Sequence, residues 1–151
     1  MTHEAILERI RHTIDTERDI TRAMERTVHL LRTQLEDYTW TGVYLMEGAE
    51  LVLGPYAGKP SPHTRIALGR GICGAAATEG TTIVVDDVSA DARYLACSID
   101  TRSEIVTPII HEGRVLGEID VDSDRHAAFG PKDRQLLESV AALLAPRLAS
   151  R

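Results

Sequence analysis

Apolar residues recur at helical spacing through Ile6, Ile10 and Ile14, and again through Ile20, Met24, Val28, Leu31 and Leu35. This predicts a helical first third, with Thr16-x-x-Asp19 between the two runs resembling a capping box. At Trp40 the pattern changes to short β-like runs, WTGVYLM and ELVLGPY, joined by the turn Glu47-Gly48-Ala49-Glu50, and a hairpin is expected. GRGICGAAATEG then predicts a tight turn, one short helix and a glycine stop before the strand TTIVV. SADARYLACSIDTR has no period and predicts a long excursion, of the kind that often carries function. A second hairpin, SEIVTPII-HEG-RVLGEIDVDS, precedes a last helix that starts at Pro131 and repeats at Leu136, Val140, Leu144 and Leu148. Pro146 is expected to weaken its final turn. Helices at both ends around an antiparallel sheet predict an α+β fold in which the terminal helices cover one sheet face and leave the other free.

The second hairpin can be put in register by its turn. A three-residue loop His111-Glu112-Gly113 pairs Ile110 with Arg114 and sets Glu104 opposite Asp120. Ile105, Thr107 and Ile109 then share a face with Val115, Gly117, Ile119 and Val121, while Glu104, Glu118, Asp120 and Asp122 point to the other side. A two-residue loop would move Glu104 to the apolar face, unless a bulge near Pro108 intervenes. Carboxylates this close call for solvent exposure, a hard cation or a bound ammonium group, and spacing alone does not choose among them.

Composition narrows the partners. The chain of 151 residues is 43% hydrophobic and 26% charged, which suits a single domain over 1–151. A net charge of -6 with 17 basic residues and no basic run argues against nucleic acid and against an anionic membrane. No apolar run approaches a membrane span and the start MTHEAILERIRHT is not a signal peptide, so a cytoplasmic protein is expected. The 2 cysteines are then reactive or simply buried. Cys73, where a helix is expected to begin, is either activated by the helix dipole or a small core residue. Cys97 lies in the polar excursion, where Arg93 and Arg102 could stabilise a thiolate. The 6 histidines show no metal spacing, and His63 reads as a loop histidine.

Taken together, WTGVYL, LVLGPYAGKP, TRIALGRGICGAAA, VVDDV, ACSIDTRSEIVTPI and GRVLGEIDVDS resemble the single-domain GAF proteins that act as free methionine-(R)-sulfoxide reductases. The resemblance runs from about Trp40 to Phe129 and is most specific in the ordered set GxCG, ACxxxxxSEI and GxxDxDS. It implies a GAF-like sheet with a ligand pocket opposite the terminal helices, in a homodimer. It also implies a catalytic cysteine at Cys97, a second at Cys73, substrate-binding acids at Glu104, Asp120 and Asp122, and an aromatic pocket at Trp40 and Tyr44. The acids would take the substrate ammonium, the rings its methyl end, and backbone N–H groups at a helix start after SADAR its carboxylate. The implied chemistry is thiolate attack on the sulfoxide, a sulfenic acid, a disulfide and its reduction by an external dithiol such as thioredoxin, without metal or organic cofactor. Family members carry a further cysteine where this chain has His63, which leaves Cys73 to pair with Cys97. The alternative is a non-catalytic GAF module that senses a small zwitterion or a redox signal, and a weaker one is a metal on the acidic face.

Overall fold

The computed structural model describes residues 1–95 and 99–151. α1 (His3–Thr16) and α2 (Ile20–Gln34) are separate helices, each started by a side chain that satisfies backbone N–H groups left open at a helix end. Thr2 accepts from Ala5 N at 3.1 Å, and Asp19 accepts from Thr21 N at 2.9 Å and Arg22 N at 3.2 Å. The expected capping box at Thr16 is therefore half right: Asp19 caps α2, whereas Thr16 closes α1 and donates back to His12 O.

The sheet has six antiparallel strands in the order β3-β2-β1-β6-β5-β4. They are β1 (Trp40–Glu47), β2 (Glu50–Ala57), β3 (Arg65–Ala67), β4 (Ile83–Val85), β5 (Ser103–His111) and β6 (Arg114–Ser123). α1, α2 and α4 (Pro131–Ala149) cover one face, where Ile6, Ile10, Met24, Leu31, Leu137 and Leu144 pack on Val43, Ile105, Ile109, Ile119 and Val121. α3 (Gly71–Glu79) and the segments around it cover the other, over a smaller core that includes Tyr44, Leu51, Ile66, Ile72, Ala76 and Val106. That face is thus roofed, and no helix among the described residues is long and apolar enough to cross a membrane.

The β5–β6 hairpin departs from its expected register. Its turn is the two-residue Glu112-Gly113, with φ of 50° and 78° and His111 paired with Arg114. A bulge then inserts Leu116 between the pairs Ile109–Gly117 and Ile110–Val115. The shorter turn and the bulge together shift the pairing by two positions, so Glu104 faces Asp122, not Asp120, and every acid keeps its face. Only the segment beside the turn changes sides: Val115 joins the smaller core and Leu116 packs against the helical one.

α4 runs through Pro146 without ending there. A proline in the last turn forfeits one backbone hydrogen bond, while Leu144, Ala145 and Leu148 are buried and Arg147 donates to the carbonyls of Ile14 and Arg18. Tertiary packing outweighs the local penalty. At the other end of α4, Asp133 accepts from Gly130 N at 2.9 Å, from Tyr38 Oη at 2.8 Å and from His3 Nε2 at 2.9 Å. One carboxylate thus ties both terminal helices to the turn before β1. Asp133→Ala should cost about 2–3 kcal/mol, the sum of a lost helix cap and an orphaned buried hydroxyl on Tyr38. Urea unfolding measures it, Asp133→Asn should lose less, and an unchanged midpoint for the alanine variant would contradict this assignment.

Candidate active site

Side chains two apart on a strand share a face, so Glu118, Asp120 and Asp122 form a column on β6 in the middle of the sheet. Their neighbours on β1 are Tyr44, Gly42 and Trp40, and on β5 Pro108, Val106 and Glu104. Glu104 is 4% exposed, Glu118 0%, Asp120 1% and Asp122 3%, which rules out the solvated face. Among the described residues, both carboxyl oxygens of Glu118 and one each of Asp120 and Asp122 are buried with no hydrogen-bond partner. Such orphans are rare in a native interior and point to an absent positively charged or donating occupant.

The aromatic residues border this column. Trp40 donates from Nε1 to Lys59 O at 2.9 Å and stacks on Tyr56 at 5.7 Å, and Tyr44 donates from its hydroxyl to His63 O at 2.7 Å. Both polar handles therefore anchor the loop between β2 and β3. A Cβ at Gly42 or Gly58 would run into the indole, so these glycines make the room it occupies. A cavity of about 270 Å³ lies beside Trp40 and Asp122 and is also lined by Arg32, Lys59, Asp100 and Thr101. A second, of only about 10 Å³, is enclosed by Tyr44, His63, Cys73, Leu95, Glu104 and Asp120. A depression of about 620 Å³ between α1 and α2 near His12 and His29 lies on the helical side, away from the acids.

Glu104, Asp120, Asp122, Trp40, Tyr44 and Cys73 thus gather on one face, the acids divided between two cavities. Cys97 lies outside the described residues; Leu95 before it lines the small cavity and Asp100 after it the large one. His63 is more than a loop histidine, since it lines the small cavity. Among the described residues no helix starts after SADAR: Val88–Ala90 is a short 3₁₀ turn, and the chain runs on through a turn at 92–93 to Leu95. Arg32 and Lys59 bring positive charge to the larger cavity instead, a role for which the loop GKPSPH gave only a faint signal.

The GAF domain family matches residues 19–148. A free methionine-R-sulfoxide reductase of Escherichia coli (strain K12) is 36% identical over 127 residues, covering 84% of this chain and 76% of that protein. One from Saccharomyces cerevisiae is 38% identical over 120 residues, covering 77% and 66%. The structure of the free methionine-R-sulfoxide reductase from Neisseria meningitidis in complex with its substrate superimposes with a TM-score of 0.93 at 36% identity, over 98% of this chain and 89% of that one. The chain belongs to the GAF-domain free methionine-R-sulfoxide reductase family.

Electrostatics distinguish the four acids of this family member. Burial pushes Glu104 well up, and the negative charges of Asp120 and Asp122 push it further. Burial, then Asp120, does the same to Glu118 and Asp122, partly opposed by contacts with Cys73 and Glu104 respectively. Asp120 is also raised by burial, but contacts with Glu104 and Cys73 and the nearby His63 oppose the shift, so Asp120 is the natural seat of a negative charge. Cys73 is pushed well up by burial, then by Asp120, Glu118 and Glu104. Of the two readings open for Cys73, the structure favours the small core residue, because a helix dipole worth at most about 2 kcal/mol is overridden by burial among acids.

These shifts have a sign. A carboxyl whose folded pKa is raised holds its proton after the unfolded chain has released it, so its stabilising contribution is complete below the unfolded pKa and is lost as pH rises toward the folded one. Substrate-free protein should therefore lose stability from about pH 4 upward relative to Glu118→Gln, by up to about 1.4 kcal/mol per pH unit. Urea unfolding of both proteins between pH 5 and pH 8, an interval chosen for that window, checks this. Parallel profiles would mean that Glu118 titrates normally.

Proposed function

We propose that this protein reduces free methionine-R-sulfoxide to methionine. The observation that carries this reading is the buried column of carboxyls, in which four oxygens of Glu118, Asp120 and Asp122 have no hydrogen-bond partner among the described residues, beside a cavity of amino-acid size that Trp40 and Asp122 line. At about 270 Å³ the cavity lies just below the range of drug-sized ligand sites, about 300–1,000 Å³, on the scale of a free amino acid. The ammonium supplies the cation that Glu104, Asp120 and Asp122 lack, and Trp40 packs on the methyl and sulfur. Lys59 and Arg32 attract the substrate carboxylate. A methionine within a peptide has neither free charge and is excluded.

Cys97 is the nucleophile. Its thiolate attacks the sulfoxide sulfur while a protonated carboxyl of the column donates to the sulfoxide oxygen. The substrate sulfur gains two electrons and leaves as the sulfide, and Cys97 loses two and keeps the oxygen as a sulfenic acid. Cys73, whose proton passes to the adjacent Asp120, then attacks the Cys97 sulfur; an S–S bond forms and the oxygen departs as water. An external dithiol of the thioredoxin class restores both thiols by exchange, and no metal or organic cofactor takes part. His63 cannot form a disulfide, so the recycling falls to Cys73, which requires Cα atoms within about 7 Å.

Cys97→Ser should abolish even a single turnover, whereas Cys73→Ser should release one equivalent of methionine and leave a sulfenic acid on Cys97. Mass spectrometry after one turnover separates the steps, and full single-turnover activity in Cys97→Ser would remove it as nucleophile. Incubation with a dithiol should yield methionine from the free R sulfoxide and none from the same sulfoxide inside a peptide. Equal rates on both would end the argument for a site that reads ammonium and carboxylate together.

A further inference from the structure

The small cavity has a chemistry of its own. The sulfur of Cys73 and one oxygen each from Glu104 and Asp120 lie within 4.8 Å of one another, all buried. His63 lines the same space. Thiolate, carboxylate and imidazole are the donor types that zinc takes, at bond lengths near 2.3 Å for sulfur and about 2.0–2.2 Å for oxygen and nitrogen. Tetrahedral bonds of that length put the donors about 3.5 Å apart, so small side-chain movements close the site. Its volume of about 10 Å³ is one water-sized sphere, room for an ion and not for a whole amino acid. A second observation points the same way: Asp120, which lines this cavity, has a buried oxygen with no hydrogen-bond partner among the described residues, and so do both oxygens of Glu118, two residues before it on the same strand face.

We propose that Cys73, Glu104 and Asp120 form a binding site for a thiophilic divalent cation of the zinc class, with His63 or solvent in the fourth position, and that this cation is a reversible inhibitor. On binding, a metal–sulfur bond and metal–oxygen bonds form and the protons held by Cys73 and Glu104 leave to solvent, with no electron transfer. Cys73 is then held as a metal thiolate and cannot resolve a sulfenic acid, and the carboxylates are withdrawn from the substrate ammonium. The inhibition rests on the proposed reductase reading; the binding does not.

Zinc titrated into reduced, full-length protein against a chromophoric chelator should bind one ion per chain with an apparent Kd tighter than about 10 µM. Free methionine should weaken that binding, and Glu104→Gln or Cys73→Ser should weaken it about 100-fold. Cobalt in place of zinc should give a near-ultraviolet thiolate charge-transfer band that persists in Cys97→Ser and vanishes in Cys73→Ser. Weaker binding, a band lost in Cys97→Ser, or indifference to Glu104→Gln would each overturn the site. Sulfoxide reduction measured separately with excess chelator keeps the two readings apart. Activity without zinc binding sinks only the metal site, and zinc binding at Cys73 without activity sinks only the reductase.

Discussion

Four carboxyl groups are buried side by side on one sheet face, and much of the molecule answers to that constraint. Ionised together at this burial they would repel one another without the screening of water, at a cost a small domain with a total stability of some 5–15 kcal/mol does not sustain. The chain meets the cost by proton retention: Glu104, Glu118 and Asp122 are held well above their ordinary range, and the charge that remains falls to Asp120, beside His63. Stability has to come from elsewhere, and it comes from the opposite face, where α1, α2 and α4 bury an apolar layer against the same strands. One pleated surface thus separates an apolar layer that stabilises from a layer of buried acids.

That separation depends on strand parity more than on exact pairing. A slip of one residue between β5 and β6 would carry Glu104 under the helices and Ile105 into the acid column. The Glu112-Gly113 turn taken alone produces that slip, and the bulge at Leu116 undoes it. β6 also comes so near β1 that a Cβ on Gly117 would meet the Tyr44 carbonyl, next to the bulge. Turn, bulge and glycine act together to keep three strands in phase where Trp40, Asp122 and Glu104 stand abreast.

Parity was legible in the sequence because alternation survives any even shift, and so were the helices, whose isoleucine and leucine spacing has one consistent solution. The two-position register shift was not, since a three-residue loop and a two-residue loop with a bulge fit the same letters. Pro146 misleads because its local penalty is visible in the chain while the anchoring of Arg147 to Ile14 and Arg18 is not. Asp133 and His63 are further cases: the partners of Asp133 at His3 and Tyr38 lie far away in sequence, and the place of His63 depends on Tyr44 holding its carbonyl. The gathering of the acids could be read from the pattern, whereas the division of their space into a large and a small cavity is a property of packing alone.

The division matters because the cluster responds as a unit. Burial raises Cys73 most, and the charges of Asp120, Glu118 and Glu104 raise it further, so a cation entering the column lowers the carboxyls and with them the thiol. Before it arrives, Cys73 stays protonated and a poor nucleophile, protected from adventitious oxidation. An ammonium and a metal ion therefore begin from the same attraction and differ in their consequences. In the proposed reaction the ammonium is tethered to a ligand that reaches into the larger cavity beside Trp40, and it leaves with the product. In the proposed metal site a divalent ion needs only the small cavity and bonds directly to the Cys73 sulfur. On the two proposals, the buried sulfur of Cys73 beside the acids is both the means of recycling and the point at which recycling can be stopped.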